Sequence, residues 1–211
     1  MNAIRHHISD ALIAACATGN LPHPFALVVA AHVSMCADCR ALFAAHEALG
    51  GAVMEGIGAV EVSQGVKSQV MGRLDSPGTV EPRFPRDGIF PGPVMAAMNG
   101  RGPRWRALGL GARHAVLSRD RQGTARLIHI PPGQAVPGHS HGGLELTLVL
   151  QGSFGDDTGR FGVGDVEVAT QDLAHSPKAD RGEPCICLAA TDAPLRFRAL
   201  VPRLLQPIFG I

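Results

Sequence analysis

Two sets of potential metal ligands stand out in this 211-residue chain. The first is His32-x3-Cys36-x2-Cys39. Thiolates with a neutral imidazole are the donors of a closed, tetrahedral structural zinc site. The second is His139-x-His141-x3-Glu145, with His175 further along. Imidazoles with a carboxylate suit zinc or another divalent transition metal such as manganese, iron or nickel. A chain carrying both sets is expected to be two modules, and its function has to explain why they are joined.

In the first set, Cys36 and Cys39 are close enough in sequence to face one centre, and His32 lies one helical turn before Cys36. Three donors leave one tetrahedral position to fill. The candidates are His6, His7, His23 and His46. His46 follows Cys39 by roughly 10 Å of helix at 1.5 Å per residue, and His23 sits at the far end of the helix that carries His32. The N-terminal segment is free to fold across, which favours His6 or His7. A metal-free cysteine pair and a redox CxxC are the competing readings. The latter lacks the preceding strand of a thioredoxin-like unit.

In the second set, alternate residues of a strand share a face, so His139, His141 and Glu145 have the parity to look into one barrel. His175 is the remaining histidine able to complete that set. His114 and His129 read as ordinary strand or turn residues. Cys185 and Cys187 alternate on a strand and are expected to fill the barrel wall as small apolar groups. A sharper reading makes them oxidisable thiols.

The elements that must position these groups change character along the chain. Residues 1–75 carry helical patterns: one from Ser9-Asp10 to Gly19-Asn20, one from Pro22 to about Val33, one from Asp38 to Leu49 ending at Gly50-Gly51, and a weaker one over 63–74. Helices this short are marginal alone in water, so they need packing, a metal or a partner. Leu12, Phe25, Val28, Leu42 and Phe43 are apolar positions that serve either a core or a docking face. Residues 76–104 hold six prolines and read as a linker with at most a single turn at Met95–Met98. From Trp105 the period becomes two. Strands are predicted at 114–117, 125–130, 144–150, 163–168, 185–189 and 195–199, separated by Gly, Pro and Asp turns. The expected fold is multidomain α + β: a small helical zinc bundle over 1–75, a Pro-rich linker over 76–104 and a β-barrel over 105–211.

Composition narrows the function. Net charge is +1 and aromatics are scarce, with eight Phe, one Trp and no Tyr, which argues against a nucleic-acid surface. No direct DNA binding is expected. The start, MNAIRHHISD, lacks the apolar run of an export signal, and no stretch has the roughly 18 apolar residues of a membrane span. Five cysteines, two of them in a CxxC, suit metal binding in a reducing compartment. The expected location is the cytoplasm.

The His32–Cys39 pattern resembles the zinc-binding anti-sigma domain, whose motif is a distant His followed by H-x3-C-x2-C. The resemblance implies the ligands His7, His32, Cys36 and Cys39, and a helical bundle that keeps an extracytoplasmic-function sigma factor from RNA polymerase. Gly133-x5-His139-x-His141-x3-Glu145-x6-Gly152 matches the first cupin motif at each defined position. The second cupin motif is incomplete: Gly164-Asp165 is present, but its Pro and trailing Asn are missing. The module order resembles the ChrR family of anti-sigma factors. Arg5-His6-His7, the run from Gly143 to Gly152 and the stretch 195–209 extend the likeness. It implies a one-to-one complex with a sigma factor, released on an oxidative-stress signal such as singlet oxygen or organic peroxide. The alternative is a cupin metalloenzyme, a dioxygenase or isomerase, with a helical docking domain. An H-x3-C-x2-C bundle has no use in such an enzyme, and no catalytic residues are assigned.

Overall fold

The computed structural model of the chain describes residues 3–74, 82–194 and 196–197. Among the described residues the helices come first: α1 (Asp10–Ala17), α2 (His23–Met35), α3 (Ala37–Glu55), α4 (Val66–Leu74) and α5 (Gly92–Ala97). Pro24 occupies the first turn of α2, where its missing N–H costs nothing. α3 overruns its expected stop. Glycine ends a helix when it turns left-handed, but Gly50 and Gly51 are not among the positive-φ glycines, and the helix continues to Glu55.

The strands are β1 (Arg106–Gly109), β2 (Ala112–Asp120), β3 (Gly123–Ile130), β4 (His139–Ser140), β5 (Glu145–Gln151), β6 (Ser153–Asp156), β7 (Gly159–Gly162), β8 (Val166–Ala169), β9 (Ala174–His175), β10 (Lys178–Ala179), β11 (Cys185–Thr191) and β12 (Arg196–Phe197). They form a large sheet in the order β1-β2-β3-β11-β5-β8 and two small ones, β10-β6-β7 and β12-β4-β9. All named pairings are antiparallel. The predicted strand at 163–168 starts later than expected, because Gly164 takes a φ of +93° and turns the chain before β8. Of the strand expected at 195–199, only Arg196–Phe197 falls within the described residues, where it pairs with β4. The rest, and most of 195–209, lies outside them.

The large sheet buries both faces, and alternation sorts its residues. One face gives Ile130, Val149, Cys185 and Cys187, which meet Phe154, Phe161 and Ala179 of the small sheet in the barrel interior. The other gives Leu127, Leu146, Leu148 and Leu188, which form one continuous core with Ile13, Phe25, Val28 and Val29. α2 therefore lies across the outside of the barrel, against β3, β5 and β11. Part of the expected linker joins this core: α5 packs on α2 with Val94, Met95 and Met98 buried. The helical module and the barrel share a core rather than hanging on a flexible tether.

Of the apolar positions that could serve a core or a docking face, Phe25 and Val28 are buried, Leu12 and Phe43 are partly buried against the core, and Leu42 is exposed. No single described helix is long and apolar enough to cross a membrane. α2 and α3 pass that test only as a pair, and they are bent by 118°.

Candidate metal centres

At the N-terminal cluster, the end of α2 supplies His32, Cys36 caps α3, and Cys39 lies in the first turn of α3. The extended segment before α1 crosses them with His7. His32 Nε2 is 3.2 Å from Cys39 Sγ, and His7 Nδ1 is 3.4 Å from Cys36 Sγ and 3.5 Å from Cys39 Sγ. The four donor atoms all lie within 4.8 Å of one another. Donors at usual zinc bond lengths sit roughly 3.3–3.8 Å apart around a tetrahedron, so the spacing fits an ion. Electrostatics point the same way. Burial and then the adjacent Cys36 sulfur push the Cys39 thiol up to about 11, so two buried thiolates this close need a cation between them. His32 is held neutral by burial, and its Nδ1–H donates to the Gly164 carbonyl at 2.9 Å, leaving the Nε2 lone pair for a ligand. His6 does not join this group. Its ring packs at a tilt against Phe161, and its backbone N–H goes to Asp165. His46 instead contacts Asp10 at 2.7 Å, tying α3 to α1.

Inside the barrel, β4 and β9 bring three imidazoles together. His175 Nε2 is 3.1 Å from His141 Nε2 and 3.2 Å from His139 Nε2. The outer nitrogens of two rings are already held. His139 Nδ1 donates to the Pro137 carbonyl at 3.0 Å, and His175 Nδ1 meets Asp156 at 2.5 Å. Their Nε2 lone pairs therefore point at one spot, an arrangement that is repulsive until a proton or a metal ion enters it. The donor set fits a divalent transition metal.

Glu145 is placed differently from His139, His141 and His175. Its Oε2 lies 3.4 Å from His141 Nδ1, the nitrogen facing away from the cluster, and its Oε1 accepts from the Thr147 hydroxyl at 3.0 Å. Burial works to raise its pKa, but His141 and His139 outweigh that and hold it below the ordinary carboxylate range. Alternation put Glu145 on the inner face as expected, yet the carboxylate braces an imidazole rather than joining the three Nε2 atoms.

A second pair of carboxylates is not evident from the motifs. Glu167 Oε1 is 3.2 Å from His175 Nδ1, on the same nitrogen as Asp156. Burial and the nearby Asp156 raise Glu167, although His175 works against that. Asp156 is pulled down to about 2: burial opposes the shift, but the Thr158 hydroxyl and N–H outweigh it. Burial lowers His175, but Glu167 and Asp156 outweigh it and raise the imidazole. The available signal was a charged residue at an inward position of β8 and a Gly-Asp-Asp turn, both of which read locally as a strand and a turn. Arg126 is also buried, lowered to about 10 mainly by burial. Cys185 and Cys187 are free thiols in the interior wall, with sulfurs 3.5 Å apart. His114 is buried on β2, and His129 packs edge-on against Trp105.

The comparisons with known proteins agree with this architecture. The ChrR cupin-like domain family matches residues 95–193. The chain is similar to the anti-sigma-E factor ChrR of Cereibacter sphaeroides, with 51% identity over 99% of each chain. Its fold is similar to a crystal structure of Rhodobacter sphaeroides SigE in complex with the anti-sigma ChrR. There the TM-score is 0.81 at 50% identity, covering 90% of this chain and 100% of that one. The likeness spans helices and barrel together, which sets the chain among anti-sigma factors and apart from cupin dioxygenases and isomerases. This chain belongs to the ChrR family of anti-sigma factors.

Proposed function

We propose that this chain binds an extracytoplasmic-function sigma factor one-to-one in the cytoplasm, withholds it from RNA polymerase, and releases it on an oxidative-stress signal, singlet oxygen or organic peroxide, received by the cupin. The observation that carries this reading is an apolar stretch left exposed among the described residues. Along the end of α3, through α4, Leu49, Val53, Met54, Ile57, Val60, Val62, Val70, Met71 and Leu74 are each at least 54% exposed. An exposed apolar surface of this extent marks a protein partner. The similar ChrR is the partner of a sigma factor in its crystal structure. Zn2+ at His7, His32, Cys36 and Cys39 holds α3 where it presents that surface. Zn2+ or another divalent transition metal at His139, His141 and His175 forms the sensing site, with the Glu145 carboxylate behind His141.

The test is co-expression of the full chain with candidate sigma factors from the same genome, followed by gel filtration and zinc analysis. A stable one-to-one complex supports the reading, and no complex with any candidate refutes it. The two sites are expected to separate by mutation. His141→Ala should keep the complex intact and retain the N-terminal zinc. It should also blunt release under singlet oxygen or organic peroxide, measured as sigma-dependent transcription. Normal release in that variant would remove the cupin metal from the sensing role.

A further inference from the structure

The turn between β7 and β8 touches the N-terminal cluster, and β8, which it leads into, touches the barrel cluster. On its outer side, the Gly164 carbonyl accepts from His32 Nδ1 at 2.9 Å. Asp165 Oδ1 accepts the backbone N–H groups of Arg5 at 2.7 Å and His6 at 3.0 Å, and the Val166 N–H donates to the His6 carbonyl at 3.0 Å. Residues 5 and 6 thus run beside the turn like a short added strand, and His7 is the next residue. On its inner side, Asp165 Oδ2 accepts from the Gly162 N–H at 2.8 Å, and the turn exchanges two backbone bonds with Val149 of β5. Two residues beyond Asp165, Glu167 reaches His175. The local shape has little slack. Gly164 has a positive φ, and a Cβ there would lie 2.6 Å from Ile4 Cδ1.

We propose that Asp165 is a positioning residue of the N-terminal metal site, and that the segment from Gly162 to Glu167 couples the barrel cluster to it. The proposal rests on the metal assignments above. His7 and His32 take their orientation from the barrel, not from the helices alone. A change at His175 moves Glu167, the turn follows, and the grip on His7 and His32 loosens. Loss of metal from the barrel then makes the tetrad give up its metal faster to a chelator, while the tetrad stays filled when zinc is in supply.

The experiment uses the full chain loaded with Co2+ in place of zinc. The thiolate-to-cobalt absorption band reports the Cys36–Cys39 site specifically, because the barrel triad has no sulfur donor. A chelator is added and the decay of the band is followed. Partners of metal-ligating histidines are worth about 10–100-fold in metal affinity, so Asp165→Asn should lose the band about 10–100-fold faster than the unaltered chain. Arg5→Pro should accelerate it too. That substitution deletes one N–H donor to Asp165 from an exposed residue and leaves the barrel untouched, so it carries the test if Asp165→Asn fails to fold, as judged by Trp105 fluorescence. His139→Ala, which empties the barrel triad, should also speed decay, and should add nothing when combined with Asp165→Asn. Rates within about twofold of the unaltered chain for both Asp165→Asn and Arg5→Pro overturn the coupling, as does full additivity of the barrel and turn variants. An unaltered chain that shows no thiolate–cobalt band overturns the site assignment and the coupling together.

Discussion

Cys39→Ser is expected to abolish sigma binding while leaving the barrel folded. The reason is how little else holds α3. Of its nineteen residues, only Cys39 is buried. The His46–Asp10 contact is partly exposed, and such pairs contribute at most about 1 kcal/mol. α2, by contrast, buries Phe25, Leu27, Val28, Val29 and Ala31 against the rest of the core and needs no metal to stay docked. Structural zinc in small motifs contributes roughly 10–16 kcal/mol of apparent binding free energy, far more than α3 gains from packing. Losing a thiolate donor should release α3 and not α2. Limited proteolysis should cut near Met54 in the variant and spare residues 106–191, and affinity for the sigma factor should fall at least about 100-fold. Binding that survives with the zinc absent would refute the structural role assigned to that metal. Because both thiols must give up protons to bind the ion, the site should also empty as pH falls.

Met54→Glu makes the opposite separation, with the metal kept and the partner lost. Met54 is 71% exposed, with Val53 and Ile57 nearby at 61% and 67%. A surface change there should move stability by less than about 0.5 kcal/mol. In the complex the same residue would be desolvated, and charge at a buried interface position typically costs 2–4 kcal/mol, or about 30–1000-fold in affinity. The expected result is an unchanged unfolding midpoint, an unchanged zinc content and a complex too weak to survive gel filtration. A complex of normal affinity would move the docking surface away from the end of α3.

What the sequence made legible was whatever is encoded over a few residues. Cys36 and Cys39 sit near each other because one turn joins them, and His139 and His141 share a face because strands alternate. The choice of His7 over His6 came from the resemblance, not from spacing, and the structure brings His7 to the sulfurs and leaves His6 on Phe161. Relations across the chain were hidden. Nothing near Asp165 announces that it holds Arg5, 160 positions away, and nothing near Glu167 announces His175. The linker reading allowed one turn at Met95–Met98 but not the burial of α5, because Val94 and Met95 become core only once α2 covers them. Glu145 has the parity of a ligand, but a strand's alternation sets which face a side chain takes and not which atom it meets.

Gly50 and Gly51 give the exposed end of α3 an unusual property. Each costs about 1 kcal/mol in helix stability relative to alanine, and neither has a neighbouring atom within 4 Å of where a side chain would begin. Beyond them the helix is exposed on all sides through Glu55. Its amides should therefore exchange with solvent freely in the unbound chain and slow down only under a partner. Part of the free energy of association is spent ordering this segment, so its residence on a sigma factor is tuned by backbone softness as well as by contact.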